Sequence, residues 1–345
     1  MTTKESAYAQ AGVDIGEGNR AVRLMTDAVK ATYGPAVLQG IGAFGGLYDA
    51  QAVKAMAAPV LVASTDGVGT KTMVAARLNR WDSLGRDLVN HCVNDILVQG
   101  ARPLFFLDYV ASSRLDAERI ASVVSGVAAG CREAGCALLG GETAEMPGVY
   151  APGEIDLVGT VVGVVERAAI VDGSRIQAGD AILGLPSTGL HTNGYSLARR
   201  VLDPLDWTTP RPDLGCSVGE ALLAVHHSYL GPVQRLWNAS VDIRGLAHIT
   251  GGGLLENPPR ILPAGLAAVL RRGAWPEPPI FGLIQQQVEI GPEMFRVFNM
   301  GLGMLVVVPA DQVALAQQAL PGEVYHVGEI RAGERNVTIH EEVKS

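Results

Sequence analysis

Charge is scarce in this sequence. Asp, Glu, Lys and Arg make up 18% of its 345 residues, and 35 acidic groups face 27 basic ones, for a net charge of −8. That balance argues against a general nucleic-acid binder, because phosphate contacts draw on Lys and Arg. The four cysteines, Cys92, Cys131, Cys136 and Cys216, form no C-x-x-C pair, which removes a zinc ribbon and a thioredoxin-like motif. Reduced structural thiols in a cytosolic protein are the expectation. No window reaches the ~18 consecutive apolar residues of a spanning helix. The opening Met1-Thr-Thr-Lys-Glu-Ser6 lacks the apolar run of a secretory leader. A soluble, cytoplasmic protein with no membrane partner is therefore expected. Two phosphate-binding signatures are missing too: G-x-x-x-x-G-K-[ST], and G-x-G-x-x-G after a strand, which argues against P-loop and Rossmann sites.

Apolar residues are plentiful at 48%, enough for buried cores and incompatible with a disordered chain. The length suggests about two domains. Helix and strand signals alternate throughout, so the fold class is α/β. Apolar spacing predicts a helix over Glu17 to Tyr33. A strand is expected at 60–64 and a helix from Asp82 to about Gln99, stopped by Gly100. Strands at 103–111, 136–139 and 155–165 bracket a helix at 116–134. The turn-rich stretch Ala168 to Asp180 marks a boundary between domains 1–168 and 169–345. Beyond it come strand 181–185, helix 194–201, one helix from Gly219 to Trp237, and strand 266–270. Strand 301–308, helix 311–319 and strand 324–330 close the chain.

Glycine is the surplus. The count of 42 is about 12% of the chain, against a usual share of about 7%. Without a side chain to bury, glycine serves backbone shape. The glycines gather at 40–46, 66–71, 140–142, 189–194 and 251–253, read as turns where strands end or helices begin. Ser64-Thr-Asp-Gly-Val-Gly-Thr-Lys71 is the most informative. Gly67 and Gly69 can turn backbone N–H groups toward one point, and a helix start adds partial positive charge. Lys71 is expected to supply a mobile cation, with Thr65 and Thr70 alongside. Asp66 suits a site where Mg2+ accompanies phosphate, because hard cations take carboxylate oxygens.

Further acids follow. Asp87, His91, Asn94 and Asp95 share one face of the 82–99 helix, read as lining a cramped cleft or as a solvated polar face. Asp108 and Glu142 stand at the ends of apolar strands, the latter directly after Gly140-Gly141. Asp66, Asp95, Asp108 and Glu142 together suggest a divalent-metal and triphosphate site, although spacing alone does not bring them together. In the second half, Gly189-Leu-His-Thr-Asn-Gly-Tyr-Ser196 and His248-Ile-Thr-Gly-Gly-Gly253 share one build. Each sets a histidine beside a glycine turn that opens a helix, a place for an anion. His191 is suited to phosphate or proton handling near neutral pH. His226, His227, His326 and His340 carry no usable pattern.

The ordered set of these motifs resembles the phosphoribosylformylglycinamidine cyclo-ligases, also called aminoimidazole ribonucleotide synthetases, over nearly the whole chain. It includes Tyr8-Ala-Gln-Ala-Gly-Val-Asp-Ile15, Gly42-Ala-Phe-Gly-Gly46, Ser64 to Lys71, Gly85-Arg-Asp-Leu-Val-Asn90, Gly140 to Pro147, the two histidine loops, and Glu293-Met-Phe-Arg-Val-Phe-Asn299. Thr192 stands where serine is common, and Met300 where cysteine often sits. The resemblance implies ATP-dependent ring closure of formylglycinamidine ribonucleotide, with ADP and phosphate released. It implies a homodimer whose N-terminal α/β domains share a β-barrel flanked by helices, with a C-terminal α/β domain of mixed sheet and helices. Carried over residue by residue, it gives Asp66, Asp95 and Glu142 for Mg2+. Gly45, Gly46, Thr65, Asp66, Gly67, Gly69, Thr70, Lys71, Asn94, Asp108, Gly140 and Gly141 would meet ATP. His191, Thr192, Asn193, His248, Thr250, Gly251 and Gly252 would meet the substrate. His191, Lys71 and Asp95 are the catalytic candidates.

Two rivals stand beside this reading. One is another ATP-dependent phosphoryl-transfer enzyme of the same superfamily, such as a thiamine-phosphate kinase, a hydrogenase-maturation protein or a selenophosphate synthetase. The last normally carries a reactive Cys in its N-terminal segment, and residues 1–45 here hold none. The other is a non-catalytic nucleotide-binding protein, which need not keep acids at 66, 95 and 142.

Overall fold

Asp14 and Asp116 open the two longest helices of the first half. Each side chain accepts from the backbone N–H three residues on, at 3.1 and 3.0 Å, which satisfies a donor that the helix itself leaves unpaired. In the computed structural model, which describes residues 14–341, α1 runs Ile15–Lys30 and buries Ala21, Met25 and Val29 at four-residue spacing. The Tyr8 to Val13 part of the N-terminal motif lies outside the described residues. The chain divides into two compact units. One comprises residues up to Ile96 together with Arg102–Glu166; the other comprises Leu97–Ala101 and the chain from Arg167 on.

The first unit continues with β1 (Pro59–Gly67), α2 (Lys71–Leu78), α3 (Leu84–Leu97), β2 (Arg102–Ser112), α4 (Ala117–Ala134), β3 (Ala137–Glu145) and β4 (Ile155–Glu166). Gly135, at φ 69°, stops α4. The strands form one sheet in the order β1-β4-β2-β3. β1 and β2 run antiparallel to β4, and β3 is parallel to β2, joined to it through α4. One face is covered by helices, with Phe106, Leu157 and Val161 buried. The other leaves Leu61 66% and Leu107 36% exposed. No closed barrel forms among the described residues of the single chain; the sheet has four strands and an open face.

Two expectations are corrected here. Asp66-Gly67 and Gly140-Gly141-Glu142 are strand residues, not turns, and Asp108 lies inside β2, not at its end. The twelve-residue β4 supplies ladder partners along the whole of β1 and β2. Gly141 is tolerated because it faces Asp108, whose carboxylate and carbonyl oxygens a Cβ would strike. The helix carrying Asp87, His91, Asn94 and Asp95 has no solvated face. Asp87 and Asn94 are fully buried and His91 is 2% exposed. Gly85 and Gly126 let α3 and α4 approach backbone to backbone; a Cβ on either would meet main-chain atoms of the other helix.

In the second unit, β5 (Ala181–Pro186), α5 (Tyr195–Leu202), α6 (Val218–Leu223), α7 (Leu230–Asn238), β6 (Gly245–His248), β7 (Leu266–Arg272), α8 (Pro279–Gln287), β8 (Leu302–Val308), α9 (Val313–Ala319), β9 (Tyr325–Ala332) and β10 (Val337–Glu341) follow in order. The mixed sheet reads β6-β8-β5-β9-β7-β10, antiparallel except for β7 with β10. β8 is buried at every residue. The single helix expected over Gly219 to Trp237 is two. Ala224 leaves the helical basin at ψ 129°, and Val225 gives its carbonyl to the Thr188 hydroxyl at 2.5 Å. Residues 224–229 are thereby drawn out of helix and into the site below. None of the described helices is long and apolar enough to cross a membrane, and all four cysteines are free thiols.

Candidate active site

In the first unit, Asp66 on β1 and Asp95 on α3 converge. His91 Nε2 stands 2.9 Å from Asp66 Oδ2 and 3.9 Å from Asp95 Oδ2. Ser64 Oγ donates to Asp95 Oδ2 at 3.1 Å. Burial opposes charge on His91, but the Asp66 hydrogen bond and the Asp95, Asp66 and Asp87 charges outweigh it and raise its pKa. The Asp66 side chain is 46% exposed and that of Asp95 26%. Two carboxylates that converge while still open to water suit a hard divalent cation.

Lys71 is not a mobile cation. Its Nζ lies 2.8 Å from Asp87 Oδ2, and both side chains are wholly buried. Burial lowers the Lys71 pKa while Asp87 pulls it back up. Gly69 turns at φ 53°. The N–H groups of Lys71, Thr72 and Met73 bend back onto the carbonyls of Val68, Gly69 and Thr70 at 3.3, 3.4 and 3.1 Å, the first two longer than an ordinary N–H···O bond. Thr65 Oγ1 meets Thr160 Oγ1 at 2.8 Å across the open face. Asn94 is fully buried.

Strand register separates the remaining acids. Asp66, Gly159, Asp108 and Gly141 form one row across the sheet. The next row is Gly67, Val158, Tyr109 and Glu142. Because side chains alternate, Glu142 projects from the opposite face to Asp66 and three strands away, about 14 Å at ~4.8 Å per strand. Within one chain, then, the structure does not bring Glu142 onto an ion held by Asp66 and Asp95. Asp108, on the same face as Asp66, lines a cavity of about 290 Å³ with Gly140, Gly141, Gly42 and residues of α1, and Glu142 borders it from the adjacent row. Asp108 Oδ2 is buried there with no hydrogen-bond partner, and burial pushes the carboxyl up to about 7. Of the glycine loop beside it, Gly46 packs so closely on Leu139 that a Cβ would overlap that side chain, whereas Gly45 is open.

The second unit assembles a histidine cluster. His191 takes a left-handed backbone, φ 62°, and is 1% exposed, not a surface loop residue. The Thr188 and His227 N–H groups point to its Nε2 at 3.2 and 3.5 Å. Its ring stacks on His226, with centroids 4.1 Å apart. His226 Nε2 lies 3.1 Å from His248 Nε2, and His226 Nδ1 lies 3.3 Å from Thr192 Oγ1. Gly303 makes room, since a Cβ there would overlap the Tyr229 hydroxyl and His191. Asn257 staples the neighbouring turn by donating to the carbonyls of Thr250, Gly251 and Gly253 at 3.4, 3.3 and 2.9 Å. Gly252, at φ 97°, gives that turn its shape, and Asn193 lies against Gly251. The two histidine loops are thus one constellation. His226 carries no motif in the sequence and falls within an apparent helix; its one signal is the adjacent pair His226-His227.

Comparison with known proteins follows this division. Residues 48–165 match the model of the AIR synthase related protein N-terminal domain, and residues 177–341 that of the C-terminal domain. The chain is 51% identical over 336 residues to a phosphoribosylformylglycinamidine cyclo-ligase of Desulfitobacterium hafniense, covering 96% of this chain and 98% of that protein. It is 48% identical to the one of Trichlorobacter lovleyi, covering 98% of each. Among solved structures, it is similar to a thiamine-monophosphate kinase from Stenotrophomonas maltophilia, at TM-score 0.65 and 20% identity over 92% of this chain and 95% of that one. It is also similar to the hydrogenase maturation protein HypE in complex with ATP, at TM-score 0.67 and 19% identity over 93% and 91%.

Proposed function

The chain belongs to the phosphoribosylformylglycinamidine cyclo-ligase family, and from that premise we propose that it closes the imidazole ring of aminoimidazole ribonucleotide from formylglycinamidine ribonucleotide at the expense of ATP. The observation that carries this reading is about one-half identity to named cyclo-ligases over nearly the full length of both chains. The chemical difficulty is the formamide oxygen, a poor leaving group. A bond forms from that oxygen to the γ-phosphorus of ATP as the bond to ADP breaks. The amidine nitrogen then attacks the activated carbon, the C–O bond breaks, phosphate departs, and the nitrogen gives up a proton. Such chemistry asks a protein chiefly for positioning and charge neutralisation.

The residues support this division of labour. Asp66 and Asp95 are the pair we assign to Mg2+, which supplies charge neutralisation on the triphosphate. Glu142, with Asp108, Gly140 and Gly141, belongs to a separate contact with the nucleotide, together with Gly45 and Gly46. Thr65, Gly67, Gly69 and Thr70 offer hydroxyls and amides to phosphate. Lys71 acts from within, holding the start of α2 to α3 through Asp87. Thr192, Asn193, His248, Thr250, Gly251 and Gly252 face the ribonucleotide substrate, and His191 handles its proton or meets the transferring phosphoryl group. The open apolar face carrying Leu61 and Leu107 is the surface we assign to a homodimer with a shared barrel. Free thiols agree with a cytoplasmic enzyme.

Formylglycinamidine ribonucleotide, ATP and Mg2+ incubated with the protein test the reading. Aminoimidazole ribonucleotide and ADP appear together if it holds. ADP release without that product points to a related phosphoryl-transfer enzyme and sinks it. Absence of any turnover sinks it in favour of a nucleotide-binding protein.

A further inference from the structure

His226 belongs to none of the glycine-turn motifs, yet it touches both histidine loops. Its ring stacks on His191 with an interplanar angle of 22°. Its Nδ1 faces the hydroxyl of Thr192, and its Nε2 faces Nε2 of His248. Its side chain is wholly buried, so water does not substitute for these partners. The chain places it there by breaking a helix: residues 224–229 leave the helical path between α6 and α7.

The geometry points to His226 as a positioning residue that fixes the ring orientation and tautomer of His248 and holds the loop at 189–194 in register with the loop at 248–253. Two imidazole nitrogens 3.1 Å apart hold one proton between them. If both carried hydrogen, two donors would collide; if neither did, two lone pairs would face each other. Thr192 Oγ1 accepts from Asn193 Nδ2 at 3.5 Å, so its own proton is assigned to the His226 Nδ1 contact at 3.3 Å, which places the ring proton of His226 on Nε2. That proton is then donated to His248 Nε2, and His248 carries its own on Nδ1. The stack on His191 sets the ring plane along which this chain of contacts runs. His226 reaches no substrate itself; it acts through His248 and His191. This assignment rests on the substrate-side reading of the two loops given above.

Two measurements separate its failure from failure of that reading. The first uses the native protein without substrate. Nitrogen-15 spectra of the histidine rings are expected to show a protonated Nε2 on His226 and an unprotonated Nε2 on His248. Both Nε2 atoms protonated, neither protonated, or the reverse assignment overturns the proposal, whatever the enzyme acts on. The second compares His226→Gln, whose side-chain amide can occupy the Nε2 position, with His226→Leu, both checked for a native melting transition. His226→Leu is expected to lower kcat by about 10- to 100-fold, the loss of one buried hydrogen bond, with the KM for ATP unchanged and the His248 nitrogen signals altered. His226→Gln is expected to stay within about threefold of the native kcat with those signals retained. A His226→Leu protein with native kcat or native His248 signals overturns the proposal, as does a His226→Gln protein no better than His226→Leu. If His226→Leu does not fold, the native-protein spectra and His226→Gln still decide.

Discussion

Lys71 Nζ lies 2.8 Å from Asp87 Oδ2 with neither side chain exposed, so the first residue of α2 is tied by charge to the body of α3. A buried pair is costly to break because it strands the other charge. Lys71→Met and Asp87→Leu are each expected to lose about 3–5 kcal/mol of stability. The double variant should recover most of that loss, since two apolar side chains leave no unpaired charge. Urea denaturation of the three variants checks this; additive losses would contradict it.

The convergence of Asp66 and Asp95 on His91 predicts a change in cation dependence. Asp66→Asn or Asp95→Asn removes a hard oxygen charge from the pair. The Mg2+ concentration giving half-maximal ADP release should rise by at least about tenfold, more than the KM for the ribonucleotide. An unchanged Mg2+ titration would remove these two acids from the cation site.

Asp108 predicts a pH dependence of stability. Its folded pKa, pushed up to about 7 by burial, exceeds the ~3.9 of an unfolded chain. The folded state therefore binds more protons between those values. The contribution is fully present below about pH 4 and is lost as pH rises through 7. Asp108→Asn cannot ionise. Relative to the native protein it should melt several degrees higher at pH 8, and the difference should shrink or reverse near pH 5. A constant difference across that range would refute the assignment.

The open sheet face predicts the effect of charge on assembly. Leu61→Glu and Leu107→Glu each place a carboxylate on apolar surface that is expected to be covered in a dimer. Light scattering after gel filtration should show dimer for the native chain and a shift toward monomer for either variant, with the fold retained by circular dichroism. A native chain that runs as a monomer would remove the shared barrel.

Much of the architecture was legible because its signals are local. Asp14, Asp116 and Gly135 mark helix ends through caps that the sequence spells out, and the apolar strands announce themselves. The failures all come from non-local causes. Gly140-Gly141 reads as a turn, but a parallel neighbour and Asp108 make it strand. Asp87 reads as a polar-face residue, but a lysine sixteen positions earlier makes it core. Gly219 to Trp237 reads as one helix, but Thr188 and the histidine cluster draw its middle out. The acids were identified as a group from composition and position. Only the strand register, which puts Glu142 and Asp66 on opposite faces, divides them.

The contact between Gly85 and Gly126 bears on how this sequence can drift. Replacing glycine with alanine inside a helix ordinarily adds about 1 kcal/mol of stability. Gly231 and Gly282, which have nothing within 4 Å of a new Cβ, are open to that gain. Gly85 and Gly126 are closed to it, because the obstacle is the main chain of the facing helix and no rotamer change clears it. Descendants of this chain are free to lose glycine from the periphery, while the α3–α4 crossing holds its own against a propensity that favours almost any other residue.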